Sequence, residues 1–342
     1  MKNPMQVYCC AREYDILYSL LHINKFNVGK SIFILSKKLP HKKYKEKLEQ
    51  LDYIEKVIVI NDDTLHEELF FKNKLKVVGV LVNLLLIRYR INNVYGGNSS
   101  INEIFEEYDI TSNLFFLNTA LKIHFFRKST KVNFLEEGIG IYNKNYPKIY
   151  MFIRWLLSLG NPYGNDTRVQ SVFVSNVECY KNRFKTNNVE EFSFIEELNR
   201  AFINEHVKDI SFVFDVNVFK TKSDQEIIVL LTQPLSEDGI CELNKKNKFY
   251  EELYSHLSKK GIVYLKLHPR DTSSYSFCDE SYVISGSIPM ELVRFDRSIN
   301  RVISLSSSGV TTFGDSVEII RLVNDREVIN EDVEFKRYLY EL

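Results

Sequence analysis

Ile262-Val263-Tyr264-Leu265-Lys266-Leu267-His268-Pro269-Arg270-Asp271 decides the fold. Ile262, Val263, Leu265 and Leu267 make a run apolar enough to be covered on both faces, the pattern of a strand inside a parallel sheet. Pro269 has no N–H to give to a ladder, so the strand stops there and His268 stands at its carboxyl end. In an open α/β sheet ligands bind outside the carboxyl ends of the strands. A histidine at that place, beside Arg270, can donate a hydrogen bond or a proton to a departing phosphate oxygen. A structural histidine in a turn fits the His-Pro dipeptide equally well, so the neighbouring segments have to decide.

Working outward, the same grammar repeats. Gln6–Cys10 reads as a first strand, followed by a helical pattern through Tyr14, Leu17, Leu20 and Leu21. Ser31–Leu35, Val57–Ile60, Val132–Leu135 and Gln170–Val174 are further short apolar strands, with a basic helix around Lys42–Leu51. Between His206 and Asp224 the pattern loosens: Phe212, Phe214, Val216, Val218 and Phe219 alternate with polar residues, which predicts a hinge. Beyond it Ile227–Leu231, Ile262–Leu267, Tyr282–Ile284, Val302–Leu305 and Val317–Leu322 read as strands. A chain of 342 residues exceeds the roughly 250–300 residues at which single cores stop growing. The expectation is therefore an α/β protein of two doubly wound, Rossmann-like domains facing across a cleft, 1–210 and 225–330, with a helix over 331–342 that crosses back.

Forty-five basic residues balance forty-five acidic ones, which removes the field that a nucleic-acid-binding protein needs. Five scattered cysteines without CxxC spacing indicate neither a zinc site nor a disulfide framework, and they read as reduced cytosolic thiols. The opening residues lack the charged and apolar regions of a secretory signal. The longest apolar run, Val77–Ile87, is broken by Gly79 and Asn83 and is too short for a bilayer, so a buried helix is expected there. The expected location is cytoplasmic, with any membrane substrate met from the inner face. Aromatic residues and lysines around Tyr142–Tyr150 are the segment expected to touch membrane or glycolipid.

Five segments carry chemistry. Thr232-Gln233-Pro234-Leu235-Ser236-Glu237-Asp238-Gly239 follows a strand, so Gln233, Glu237 and Asp238 fall where a ligand binds and a carboxylate can take a proton; helix capping by Ser236 or Asp238 is the plainer alternative. Glu136-Glu137-Gly138-Ile139-Gly140 ends another strand with two adjacent like charges, which suit a general base or, if solvated, merely cost stability, and its spacing is not the dinucleotide fingerprint GxGxxG. Ser306-Ser307-Ser308 follows the strand Val302–Leu305 with small hydroxyls and backbone amides suited to a phosphate, although one serine would suffice for an N-cap. Glu291, in Pro289-Met290-Glu291-Leu292, can accept the two hydroxyls of a ribose or serve as a first-turn helix glutamate. Arg12 and Tyr14, after the first strand, can line the acceptor side.

Taken in order, Tyr8-Cys9-Cys10-Ala11-Arg12-Glu13-Tyr14, Glu136-Glu137-Gly138, Thr232–Gly239, His268-Pro269-Arg270-Asp271, Pro289–Leu292 and Ser306–Ser308 resemble the bacterial sialyltransferases of glycosyltransferase family 52. The resemblance implies a GT-B fold, CMP-N-acetylneuraminic acid as donor, no metal or other cofactor, and inversion at the anomeric carbon. It implies that His268 assists departure of CMP, that Ser306, Ser307 and Ser308 bind its phosphate, that Glu291 holds the ribose, and that Gln233, Pro269 and Arg270 flank the donor. For the general base it offers Asp238, while related sialyltransferase families point to Glu137, and spacing does not choose between them. The implied acceptor is a galactose-terminated glycan or glycolipid of a surface polysaccharide or lipooligosaccharide, and a homodimer is allowed. Transfer of Kdo, polysialic acid or glycerol phosphate from a cytidine nucleotide, or a non-catalytic nucleotide-sugar-binding subunit, are the alternatives.

Overall fold

In the computed structural model the described residues are 2–61, 82, 86, 89, 91, 95, 98–115, 117, 119–137, 140–143, 146–186, 188–203, 207–216, 218–221, 224–305 and 317–322. The chain divides into two compact units, Met1–Val213 and Phe214–Leu342. The first holds strands β1 (Asn3–Cys10), β2 (Ser31–Ser36), β3 (Ile54–Ile60), β4 (Tyr108–Leu114), β5 (Lys131–Leu135), β6 (Val169–Val174) and β7 (Val189–Glu191). They form one sheet in the order β3-β2-β1-β4-β5-β6-β7, with every pairing parallel. The second unit holds β8 (Val218–Phe219), β9 (Glu226–Leu231), β10 (Gly261–Lys266), β11 (Val283–Ile284), β12 (Arg294–Phe295), β13 (Arg301–Ser304) and β14 (Glu318–Arg321). Its main sheet runs β11-β10-β9-β13-β14, again all parallel, beside a small pair of β12 with β8. The expected α/β class, with two Rossmann-like sheets, is what the chain forms.

β9 shows why. Ile227 to Leu231 are all buried, and alternate side chains serve opposite faces. Ile228 and Leu230 pack with Phe249, Leu253 and Leu257 of helix Leu243–Leu257, while Val229 and Leu231 pack with Val302 on the other side. Burying each such side chain contributes roughly 1.5–3 kcal/mol, so a strand apolar throughout belongs at the centre of the sheet. Strand order reverses between β9 and β13 in the second unit and between β1 and β4 in the first. Those are the two crevices where an open α/β sheet takes ligands.

Several expectations need correction. β4 is not legible in the sequence because Asp109, Thr111, Ser112 and Asn113 break its apolar pattern. Side-chain hydrogen bonds replace that pattern: Asn113 donates to Gln6 Oε1 (2.8 Å), and Asn133 donates to Asn113 Oδ1 (3.0 Å), tying β1, β4 and β5 in one polar row. The loose stretch around Phe212 contains a helix, Val207–Phe214, whose buried Ile210, Val213 and Phe214 follow helical spacing. Glu291 does not open a helix; Met290–Leu292 is a single 3-10 turn. Within the Val77–Ile87 run, Val82 and Leu86 are helical but exposed rather than buried, and the rest of that run lies outside the described residues. The tail 331–342 also lies outside them. Among the described residues no helix is long and apolar enough to cross a membrane.

Candidate functional site

β10 ends at Lys266, and His268 sits two residues beyond its carboxyl end, half-buried. Its N–H donates to Thr232 Oγ1 (3.0 Å), while the Thr232 N–H donates to the Lys266 carbonyl (3.0 Å), so the loops after β9 and β10 are stitched together. The ring is oriented from within its own turn: the Arg270 N–H donates to Nδ1 (3.1 Å). A neutral imidazole that accepts at Nδ1 carries its proton on Nε2, the tautomer that can donate a hydrogen bond to the oxygen of a leaving group. Gly286 closes the turn from below. A Cβ there would lie 2.8 Å from the His268 carbonyl oxygen and 3.2 Å from Pro269 Cα, so only glycine lets the Ser285–Ser287 loop pass beneath.

A buried cation locks the same two loops. Lys246 of helix Leu243–Leu257 is fully buried, and its Nζ meets Glu237 Oε2 (2.9 Å) and Asp271 Oδ1 (2.7 Å). Asp271 also accepts from the Tyr275 hydroxyl (2.8 Å) and the Ser273 N–H (3.0 Å). Glu237 accepts from the Thr272 N–H and hydroxyl, both at 2.9 Å. Burial works to raise the Glu237 carboxyl, but the bonds from Lys246 and Thr272 prevail and hold it down at about 2. Asp238 next to it gives both oxygens to Arg270, at 2.5 and 3.1 Å, in a two-pronged pair. Thus Asp238, Pro269, Arg270 and His268 form one group at the end of β10.

The remaining predicted residues of this unit vary. Gln233 is buried beneath the loop rather than projecting from it. Glu291 is half-buried, and burial pushes its carboxyl upward against the opposing pull of Lys266 and Arg294. Lys266 is itself buried at the end of β10, so Glu291 is electrostatically tied to the strand that carries His268. Ser306, Ser307 and Ser308 lie outside the described residues, directly after β13.

In the first unit, Glu136 and Glu137 follow β5, and the structure gives them different work. Glu136 is buried and accepts from the Ser175 hydroxyl (2.8 Å) and the Tyr142 hydroxyl (3.2 Å). Glu137 is partly exposed and pairs through Oε1 with Arg12 Nη1 (3.1 Å). Arg12 in turn is held by fully buried Asp15, whose Oδ1 accepts from Nε (3.1 Å) and Nη2 (2.6 Å) and whose Oδ2 accepts from the Ala11 N–H (2.9 Å). Burial opposes the charge on Asp15, yet Arg12 and the buried Lys122 overcome it and lower its pKa. Sequence reading missed Asp15, Lys122, Ser175 and Lys246. For Lys246 the signal was there, since it shares the stripe of Tyr250, Leu253 and Leu257 at helical spacing. Among the described residues no group of three or more His, Cys, Asp or Glu side chains is disposed to hold a metal ion.

Comparison with known proteins adds four findings. UDP-GlcNAc 2-epimerase from Methanocaldococcus jannaschii is similar at 14% identity and a TM-score of 0.47, over 99% of this chain and 91% of that one. Arabidopsis thaliana UGT89C1 complexed with UDP-L-rhamnose is similar at 10% identity and a TM-score of 0.48, over 99% and 92%. An uncharacterized protein of Haemophilus influenzae is 24% identical over 193 residues, and this chain spans 61% of that relative's length and 55% of its own in the match. The model of the alpha-2,8-polysialyltransferase (POLYST) family matches residues 98–321, which include Glu137, Asp238, His268 and Glu291. With well over half of its length so matched, the chain belongs to the alpha-2,8-polysialyltransferase family, a family of bacterial sialyltransferases.

Proposed function

We propose that this sialyltransferase-type glycosyltransferase is inverting and metal-independent, and that it moves N-acetylneuraminic acid from CMP-sialic acid to a glycan acceptor at the cytoplasmic face of the membrane. His268 carries the reading. Its Nδ1 accepts from the Arg270 N–H, so the ring proton sits on Nε2, which donates a hydrogen bond to the phosphate oxygen as CMP departs. Arg270 adds positive charge beside it. Ser306–Ser308 bind the phosphate and Glu291 holds the ribose, as the likeness to family 52 implies. The second unit thus takes the donor, and the first takes the acceptor.

The transition state is oxocarbenium-like, and CMP is a fairly good leaving group, so positioning and phosphate stabilisation supply most of the acceleration. Asp238 takes the proton of the acceptor hydroxyl after Arg270, whose side chain is largely exposed, swings away from it. Glu137 is the competing base. The family match favours a second acceptor beside a galactose terminus, namely a sialic acid terminus joined through an α-2,8 bond. The test is CMP release from CMP-N-acetylneuraminic acid with no acceptor, with a galactose-terminated acceptor and with a sialyl-terminated one. Wild type should release CMP faster with one of the two acceptors, and His268→Ala should slow that release by about 10²-fold or more. Absence of donor binding and release in wild type would discard the sialyl-transfer reading in favour of another cytidine nucleotide donor.

A further inference from the structure

We infer that helix Lys148–Leu156 docks the protein onto an anionic lipid surface. On this helix Ile149, Phe152, Trp155 and Leu156 are 56, 55, 73 and 61% exposed. At 100° per residue they fall, together with exposed Lys148, within an arc of roughly 120°. Phe152 and Trp155 lie side by side, with ring centroids 5.9 Å apart. The aromatic residues that the sequence had pointed to face the other way: Tyr150 is buried, Tyr146 stacks on it at 4.9 Å, and Tyr142 bonds to Glu136.

The helix cannot roll to hide this stripe. The Arg154 guanidinium is buried and donates to the Gly160, Leu117 and Leu159 carbonyls (2.9, 3.1 and 3.0 Å) and to the Tyr150 hydroxyl (3.2 Å). Tyr150, Ile153 and Leu159 fix the same side into the core of the first unit. Four large apolar side chains are therefore held in water by a rigid mount, the arrangement of an interaction surface rather than of scattered exposed residues.

Charge selects the partner. From Gly138 to Asn165 the chain contains Lys144 and Lys148 besides the buried Arg154, and no Asp or Glu. A tryptophan and a lysine on one apolar helical face, in a segment free of acidic residues, match the boundary between anionic headgroups and acyl chains. The stripe is short, about 10 Å from Ile149 to Leu156 at 1.5 Å per residue, so it anchors the surface reversibly. This inference is independent of the transfer reading, and its test contains no donor.

Trp155 is the one tryptophan of the chain, so its fluorescence reports the helix directly. Full-length protein is titrated with vesicles of phosphatidylglycerol and phosphatidylcholine, with phosphatidylcholine alone, and with acyl-brominated lipid, and co-sedimentation is read in parallel. The expected result is a blue shift with quenching by brominated chains on anionic vesicles, weakened by added salt. Binding should fall at least about tenfold in the double variant Phe152→Ser, Leu156→Ser, which touches only exposed positions and should keep its circular dichroism and Tm. Unchanged emission on anionic vesicles, or a double variant that binds like wild type, overturns the inference. A blue shift that instead follows protein concentration without vesicles, with the variant turning dimers into monomers in sedimentation velocity, overturns it in favour of a second copy of this chain.

Discussion

At the scale of single residues, two carboxylates compete for the acceptor's proton, and their environments differ. Asp238 shares a pair of bonds with Arg270, and Glu137 meets Arg12 through one oxygen while Asp15 restrains that arginine from the buried side. A general base is needed for transfer, not for departure of CMP. Asp238→Asn should therefore reduce transfer to acceptor by about 10²-fold or more while acceptor-free hydrolysis of the donor persists. Glu137→Gln should retain transfer. The opposite pattern in a direct assay of both rates moves the base to the first unit. Neither role could be read from spacing, because both residues sit in an acidic-acidic-glycine triplet.

At the scale of elements, the cluster of Lys246, Glu237 and Asp271 governs the loops after β9 and β10. Lys246→Met keeps the volume of the side chain but leaves two carboxylates without their cation, one of them fully buried. Removing one partner of a buried ionic group costs about 3–5 kcal/mol, so denaturant unfolding of this variant should show a loss of that order. The cluster also sets a pH limit. Glu237 has its folded-state carboxyl lowered from 4.5 to about 2, so its contribution is present above pH 4.5 and disappears as the pH falls toward 2. Thermal unfolding followed through that window should lose stability more steeply in wild type than in Glu237→Gln. Legibility at this scale followed the physics of burial. β9 and β10 were plain because apolar residues cover both faces, whereas β4 was hidden because Asn113 satisfies its polar neighbours sideways. Helix Val207–Phe214 reads as alternation because Phe212, Phe214, Val216 and Val218 fall at every second position, whereas the residues the helix buries are Ile210, Val213 and Phe214.

At the scale of the whole molecule, two parallel sheets and a balanced charge were legible from the start, and both follow from simple bulk terms. Pairings within a sheet were not, because the polar row of Gln6, Asn113 and Asn133 becomes visible only when β1, β4 and β5 lie side by side. His268 at a strand end is predictable from Pro269, and the Arg270 N–H that orients its ring is two residues away, whereas the packing of the His268–Pro269 backbone depends on Gly286, which sequence alone does not bring near it. For the molecule as a whole, the proposed chemistry draws its electrostatic support from Arg270, His268 and the serine segment rather than from a divalent ion. CMP release should accordingly be unchanged by excess chelator and not rise when magnesium or manganese is added; a strong metal requirement in the same assay would remove the metal-independent mechanism. The ionic tie through Lys246 reaches further than stability. Because one side chain from helix Leu243–Leu257 holds both loops, neither loop is a separable module, and a transplant that brings a new Thr232–Ile240 segment from another protein must bring that helix and the His268–Ser273 segment with it.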